Sequence, residues 1–559
     1  MNSYLNTRYG EWRNRRRISN LARQIAVQKS QETSSKPIVF FNASTRLQGL
    51  SLNAAFSLLT SWSLHLTGIP VMHYVCRSGM SHCVLGTNRA DYKSPPPCKA
   101  CIAQSRRLYA GSNVHWFEYK QDDTLTTEIR DLSINELSNF EYLATPSPTT
   151  RDSQSKSSNS SLPLGRLVLP SVRWALRRHN LPDDDKTHYL MREYILSAYN
   201  IAREFAAFID DQQPFAALIF NGIMYPEATA RWVALNHGIR VITHEVGFQP
   251  FSGFFTDGDA TAYPIHIPDK FELTPEQNER LDIYLEQRFQ GKFTMAGIRF
   301  WPEMRGLDED FQHKAAQFQQ IVPVFTNVVY DTSQVHANHL FPHMFVWLDL
   351  VLDLIRLHPE TLFIIRAHPD EMRPGTKKQS RESVRDWGVR NGVNDLSNVI
   401  YIDSQEYISS YELIQRAKFV MVYNSSIGME AALMDVPVLC GGKARYTQYP
   451  TVFFPESPQE FQKSAEHFLD AEKIEVPPEF QRNARRFLYY QLYRASLPFN
   501  QYLQTGSRLG FVQLKPFSWC ELLPENSTTM QVIREGIING PLAGHRVENG
   551  DRFLLPAAQ

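Results

Sequence analysis

The stretch Tyr423 to Gly442, YNSSIGMEAALMDVPVLCGG, sets two hydroxyls, a glycine and one carboxylate between two apolar runs. A strand ending in YNSS that turns directly into a helix places Ser425 and Ser426 at the helix start, where unpaired N–H groups and the positive dipole end gather. Such a turn can hold an anion, with Gly428 permitting close approach and Glu430 on the first turn accepting from ribose hydroxyls. The same residues also describe an ordinary capped helix start. Position favours binding, because open α/β sheets take ligands at the carboxyl ends of their strands.

Other apolar runs end in groups suited to that ligand. TLFIIRAHPDE runs into Arg366 and His368, a fixed fork of donors beside a switchable one, which suits a diphosphate. A strand-end arginine paired with Asp370 or Glu371 is an equal reading. VFTNVVYD places Thr326 and Asn327 after a strand, where Asn327 either faces a ligand or caps the next turn. Earlier in the chain, LIFNG offers Asn221, and VITHEVG offers His244 and Glu245, a close titratable pair at a strand end. Either member of that pair could act as a general base toward an acceptor hydroxyl, while a hydrogen-bonded histidine beside the core is the plain alternative. Glu227 and Arg231 read as an i, i+4 surface pair. The acidic runs at Asp183 to Asp185 and Asp257 to Asp259 read as loops rather than a metal site, so a diphosphate here would be neutralised without a metal, by the helix dipole, Arg366 and His368.

Four of the six cysteines, Cys76, Cys83, Cys98 and Cys101, fall in CRSGMSHCVLGTNRADYKSPPPCKAC. The second pair has the two-residue spacing that bends a loop around a metal, and in a reducing compartment such a set binds metal more often than it forms disulfides. A structural zinc on four thiolates is the first expectation and an iron–sulfur cluster the second, with His73 and His82 as substitute ligands. Unligated, inert thiols are the alternative.

These groups need a scaffold that brings strand ends together. Short apolar runs alternate with helical patterns through KPIVFFN, the helix entered near Ser51, IPVMHYVC, FAALIFNG and IRVITHEVG. They alternate again through IVPVFTN, TLFIIRAHP, NVIYIDS, KFVMVYNSS and VPVLCGG, which predicts two doubly wound α/β domains in tandem. The expected divisions are a basic N-terminal tail (1–36), a first Rossmann-like domain (37–300), a second (301–470), and a C-terminal helical segment with its tail (471–559). The first domain carries the cysteine segment (76–101) and a Ser/Thr/Pro-rich insertion (144–165), expected to be disordered.

The 559 residues balance 58 basic against 58 acidic side chains, which removes any charge-based reason to expect nucleic acid. No apolar run is long enough to span a membrane, and the N-terminus lacks the apolar core of a secretory signal. A cytoplasmic location is expected, with Arg13, Arg15, Arg16 and Arg17 either solvated or touching anionic lipid.

The ordered set FTN, RAHPDE, SSYELIQRA and YNSSIGMEAALMDVPVLCGGKARY, spanning Phe325 to Tyr446, resembles the C-terminal half of bacterial capsule-polysaccharide biosynthesis proteins. That resemblance implies the GT-B architecture, two Rossmann-like domains facing a cleft, and transfer of a sugar from a nucleotide-activated donor to a glycan acceptor. It implies donor contacts from Arg366, His368, Ser425, Ser426, Gly428 and Glu430, with Arg445 and Tyr446 bordering the same cleft. A sugar-nucleotide epimerase of the same architecture and a non-catalytic, glycosyltransferase-like subunit are the alternatives.

Overall fold

A computed structural model describes residues 2–28, 36–43, 49–143, 161–290, 304–372, 379–508 and 510–540. The chain forms two compact units. The first comprises residues 1–176, 181–266 and 493–559, and the second 177–180 and 267–492.

The first unit holds β1 (Ile38–Asn42), β2 (Val71–Cys76), β3 (Asn113–Phe117), β4 (Ala216–Phe220), β5 (Arg240–Val246) and β6 (Ser252–Thr256). The second holds β7 (Gln320–Phe325), β8 (Thr361–Arg366), β9 (Val399–Ile402), β10 (Val420–Val422) and β11 (Val438–Cys440). A short β12 (Leu497–Pro498) then returns to the first sheet.

The sheet orders are β12-β6-β5-β4-β1-β2-β3 and β11-β10-β7-β8-β9. β1 to β5 run parallel, β6 and β12 add antiparallel edges, and the second sheet is parallel throughout. Each parallel core therefore reverses direction once, between β1 and β4 and between β7 and β10, and the carboxyl ends beside such a reversal are where ligands bind in this class of sheet.

Both faces of the first sheet are covered. Val39, Phe41, Tyr74, Ala217 and Ile219 join one core, and Ile38, Phe40, Val75, Leu218 and Ile242 the other. Burial on both sides is why these strands read as continuous apolar runs rather than alternating ones.

Residues 2–26, expected as a basic tail, form a helix. Ile18, Leu21, Ala22 and Ile25 recur at helical spacing and are buried in the first unit's core. Each of the larger three is worth roughly 1.5–3 kcal/mol of burial, enough to hold the helix despite its arginines.

The boundary expected at 300 lies earlier, at 266, because the helix Pro275–Phe289 packs into the second unit through Leu281 and Leu285 and pairs Asp282 with Arg485 at 2.7 Å. The C-terminal segment is not one body either. Its helix Pro478–Tyr493 belongs to the second unit, whereas β12, the hairpin of Leu503–Thr505 with Val512–Leu514, and the helix Thr528–Asn539 belong to the first.

The expected disordered insertion lies outside the described residues up to 160. Beyond that it is ordered: Leu162 pairs with Tyr142, and Leu164 opens the helix Leu164–Leu176, both leucines being buried.

Candidate functional site

At the carboxyl edge of the first sheet, the predicted pair His244 and Glu245 is split by the two-residue period of β5, which sends neighbouring side chains to opposite faces. His244 is 1 % exposed, packs against the rings of Phe220 and Phe255, and its Nδ1 has no hydrogen-bond partner among the described residues. Burial drives its pKa down to about 3, so the ring is held neutral in the core.

Glu245 is half-buried and gripped by three donors: the Asn53 amide at 2.9 Å, the Asn221 amide at 2.7 Å and its neighbour Val246 N–H at 2.8 Å. Asn53 lies on the helix Leu52–Leu66 that follows β1, and Asn221 follows β4 with φ of +62°, so the grip sits at the reversal of strand order. Asn221 and Gly222 take two consecutive left-handed conformations there.

Glu227, expected on the surface beside Arg231, is buried in the first turn of the helix Tyr225–Asn236. Desolvation raises its carboxyl to about 8. Arg231 pairs instead with Asp259, and Asp257 pairs with Arg240 at 2.9 Å. Asp184 caps the helix Asp185–Gln212, which accounts for the other acidic run.

In the second unit, the carboxyl ends of β7, β8 and β10 bring the remaining predicted residues together. Arg366 does not present its guanidinium to a phosphate. It is 2 % exposed, and it donates to the carbonyls of Asp403 (3.0 Å), Glu406 (2.8 Å) and Ile408 (3.4 Å), with Nε left unpartnered among the described residues. Burial lowers its pKa to about 10, partly offset by Glu406 and Asp403. Thr326 is also internal, its hydroxyl donating to the Arg366 carbonyl at 3.0 Å. Glu371 is buried, accepts from Val384 N–H at 2.8 Å and is raised by desolvation to about 8.

Asn327 donates to the Asn424 side-chain oxygen at 2.6 Å, and Gln334 donates to the same oxygen at 3.3 Å. This amide cluster stitches β7 to β10 across the reversal. His368 is half-buried just past β8, and its Nδ1 accepts the Asp370 N–H at 3.1 Å, which places the proton of the neutral ring on Nε2. Ser426 is exposed and makes no capping bond, whereas Ser425 is buried and its carbonyl accepts the Tyr446 hydroxyl at 2.8 Å. Arg445 is half-buried on the turn Arg445–Gln448.

Gly428 serves packing rather than ligand approach. A Cβ there would collide with the Tyr446 hydroxyl and lie 2.8 Å from Val422 Cγ1. Tyr446 itself is fully buried.

Glu430 does not stand open to a ribose. Arg288 meets one of its carboxylate oxygens at 2.5 Å, Tyr411 donates to the other at 2.6 Å, and Glu430 is 3 % exposed. The carboxylate raises the pKa of both Arg288 and Tyr411, in the arginine against the lowering effect of burial and in the tyrosine together with it. Arg288, at the end of the helix Pro275–Phe289, left no sequence signal because it is distant in the chain from its partner. The Asn424 cluster was legible only as the N of YNSS.

The four cysteines all line one cavity in the first unit. Among the described residues no three His, Cys, Asp or Glu side chains are set to hold one metal ion, and none of the six cysteines is in a disulfide, so the geometry gives the expected zinc no ready site.

Residues 288–467, a segment inside the second unit, match a family model described as capsule polysaccharide biosynthesis protein. No curated protein is significantly similar in sequence. Among solved structures, the KpsC β-Kdo 2,4 transferase of Thermosulfurimonas dismutans shares 11% identity over 54% of this chain and 84% of its own, with a TM-score of 0.34. The β-Kdo 2,7 transferase KpsC of the same organism shares 16% identity over 56% and 85%, with a TM-score of 0.31. The UDP-GlcNAc 2-epimerase of Neisseria meningitidis, bound to UDP-GlcNAc, shares 15% identity over 52% and 80%, with a TM-score of 0.24. Likeness at this level says nothing of which reaction the chain performs. The fold shows two helix-flanked sheet cores, one of them overlapping the matched segment.

Proposed function

We propose that the chain is a GT-B-type glycosyltransferase that moves a sugar from a nucleotide donor to a glycan acceptor in capsule or other surface-polysaccharide assembly. The observation that carries this reading is the coincidence of the matched family segment with the strand-order reversal of the second sheet, where Asn327, Asn424, His368 and Ser426 gather. In this reading His368 Nε2–H and the Ser426 turn hold the diphosphate, and Arg445 borders it. Arg366, Thr326, Ser425, Gly428 and Tyr446 position that edge from inside. Glu245, fixed by two amides and a backbone N–H, is the base candidate in place of His244, with Glu227 second. Transfer needs no metal in this scheme.

A thermal-shift screen of nucleotides and nucleotide-sugars tests the reading, since a ligand of the native state raises its apparent stability. One nucleotide class should stabilise the protein, and its sugar conjugate should release free nucleotide only when acceptor is present. Stabilisation by none of them would remove the donor site. The internal commitment of Arg366 and Glu430 favours one second reading, a non-catalytic glycosyltransferase-like subunit, whose mark is nucleotide binding without turnover.

We further propose that the chain works at the cytoplasmic membrane face. Tyr9 and Trp12 stack at 5.9 Å on the exposed side of the first helix, and the Arg13 and Arg16 guanidiniums lie over their rings at 5.8 and 5.5 Å. Basic and aromatic groups on one helix side suit an anionic lipid surface. No helix among the described residues is long and apolar enough to cross a membrane.

A further inference from the structure

The cysteine segment plays no part in the proposed transfer, yet the fold gathers it. Cys76 ends β2, Cys83 lies in the loop beyond it, and Cys98 and Cys101 occupy the first turn of the helix Cys98–Leu108. All four line one cavity, part of it open to solvent, whose other walls include Met80, Leu85, Pro97 and Ile102. Cys76 and Cys83 lie within electrostatic reach of each other and of Cys98 and Cys101. None of the four is in a disulfide.

Two of the sulfurs accept backbone hydrogen bonds. The Gly79 N–H donates to Cys76 Sγ at 3.2 Å, and the Gly86 N–H donates to Cys83 Sγ at 3.2 Å. The three-residue offset is the same in both, CRSG and CVLG, and such N–H···S bonds stabilise a sulfur that carries negative charge. Gly86 has to be glycine for this geometry, because a Cβ there would stand 2.6 Å from Cys83 Sγ and 2.9 Å from Pro96 Cβ. The histidines are engaged elsewhere: His73 Nδ1 is 3.2 Å from the Asn42 amide, and His82 Nε2 is 2.9 Å from the Tyr92 carbonyl. Neither lines the cavity.

Spacing decides between the metals. A single tetrahedral ion with metal–sulfur bonds of about 2.3 Å needs its four sulfurs roughly 3.8 Å apart. Among the described residues no three candidate ligands are placed for one ion, although four thiols surround one cavity. A cluster in which each cysteine binds a different iron holds its sulfurs farther apart and fills the space between them.

We propose that Cys76, Cys83, Cys98 and Cys101 hold a [4Fe–4S] cluster at the carboxyl edge of the first sheet. This reverses the order expected from spacing in the sequence, where zinc came first, and it stands or falls separately from the transferase reading.

The test is metal and sulfide analysis of the full chain, purified without oxygen and then reconstituted with ferrous iron and sulfide. The expected result is about four iron and four acid-labile sulfide per chain, with a broad visible absorption that bleaches on reduction by dithionite. The Cys98→Ser/Cys101→Ser variant should retain at least about tenfold less iron, and Cys520→Ser, outside the cavity, should retain all of it. One zinc per chain without sulfide, or no bound iron after reconstitution of the wild-type chain, would overturn the proposal. So would iron content that the double substitution leaves unchanged.

Discussion

The parallel cores of the two sheets share one strand order and differ in what they do with the polar groups at their carboxyl edges. At the first, Glu245 is half-buried and held by the Asn53 and Asn221 amides. At the second, Arg366 and Glu430 are turned inward, the arginine onto three carbonyls and the glutamate onto Arg288 and Tyr411. The contrast teaches that a charged residue at a strand end is open to a ligand only where it keeps some exposure beside its fixed partners. Topology selects the edge, and burial selects among the residues on it.

Substitutions sharpen that contrast, and on stability the largest effect belongs to the second unit. Arg288→Ala strands the Glu430 carboxylate in a buried site and should cost about 3–5 kcal/mol in urea denaturation. A mild cost would instead mean that Glu430 is open to a ligand. Arg366→Met should cost about 2–3 kcal/mol, since it leaves the Asp403 and Glu406 carbonyls unpaired. A phosphate ligand would lose affinity without that penalty.

Titration separates the buried groups next. The Glu227 carboxyl sits at about 8 in the folded chain against 4.5 in the open one, so the native state retains a proton that the unfolded state releases. Its contribution is present below pH 4.5 and is lost as the pH rises through 8, so Glu227→Gln should melt several degrees above the wild type at pH 8.5 and level with it at pH 4.5. His244 has the opposite sign. Its folded pKa of about 3 against 6.5 means stability is full above 6.5 and is lost as pH falls toward 3, and His244→Phe should blunt that acid-side loss. Unchanged melting profiles in both variants would contradict these burials.

The smallest effect on stability is expected for Glu245→Gln, which keeps one acceptor oxygen for Asn53 or Asn221 and loses the other hydrogen bond, costing about 1 kcal/mol. Its turnover should nevertheless fall roughly 10²–10⁴-fold if the carboxylate is the base. Full activity in this variant would take Glu245 out of the chemistry.

The central strands were legible because burial on both faces makes them apolar throughout. The edges were not: β3 alternates exposed and half-buried positions, and β6 is antiparallel, so neither follows the alternating pattern of the parallel core. The basic N-terminal run hid a helix because its four apolar anchors come only after a block of arginines. At the candidate site, chain position marked which residues lie at strand ends, but whether a side chain faces inward depends on partners such as Arg288 that no local spacing reveals. His244 and Glu245 looked alike in sequence, and the pleat of β5 separated them.

The account rests most heavily on the amide cluster and His368 as the seat of the donor diphosphate. Calorimetric titration of nucleoside diphosphates into the wild-type chain and His368→Ala measures this directly. The expected result is saturable binding of one nucleotide class, weakened at least about tenfold in the variant while its melting temperature holds. Equal affinity in the two proteins, or no binding by either, would contradict it.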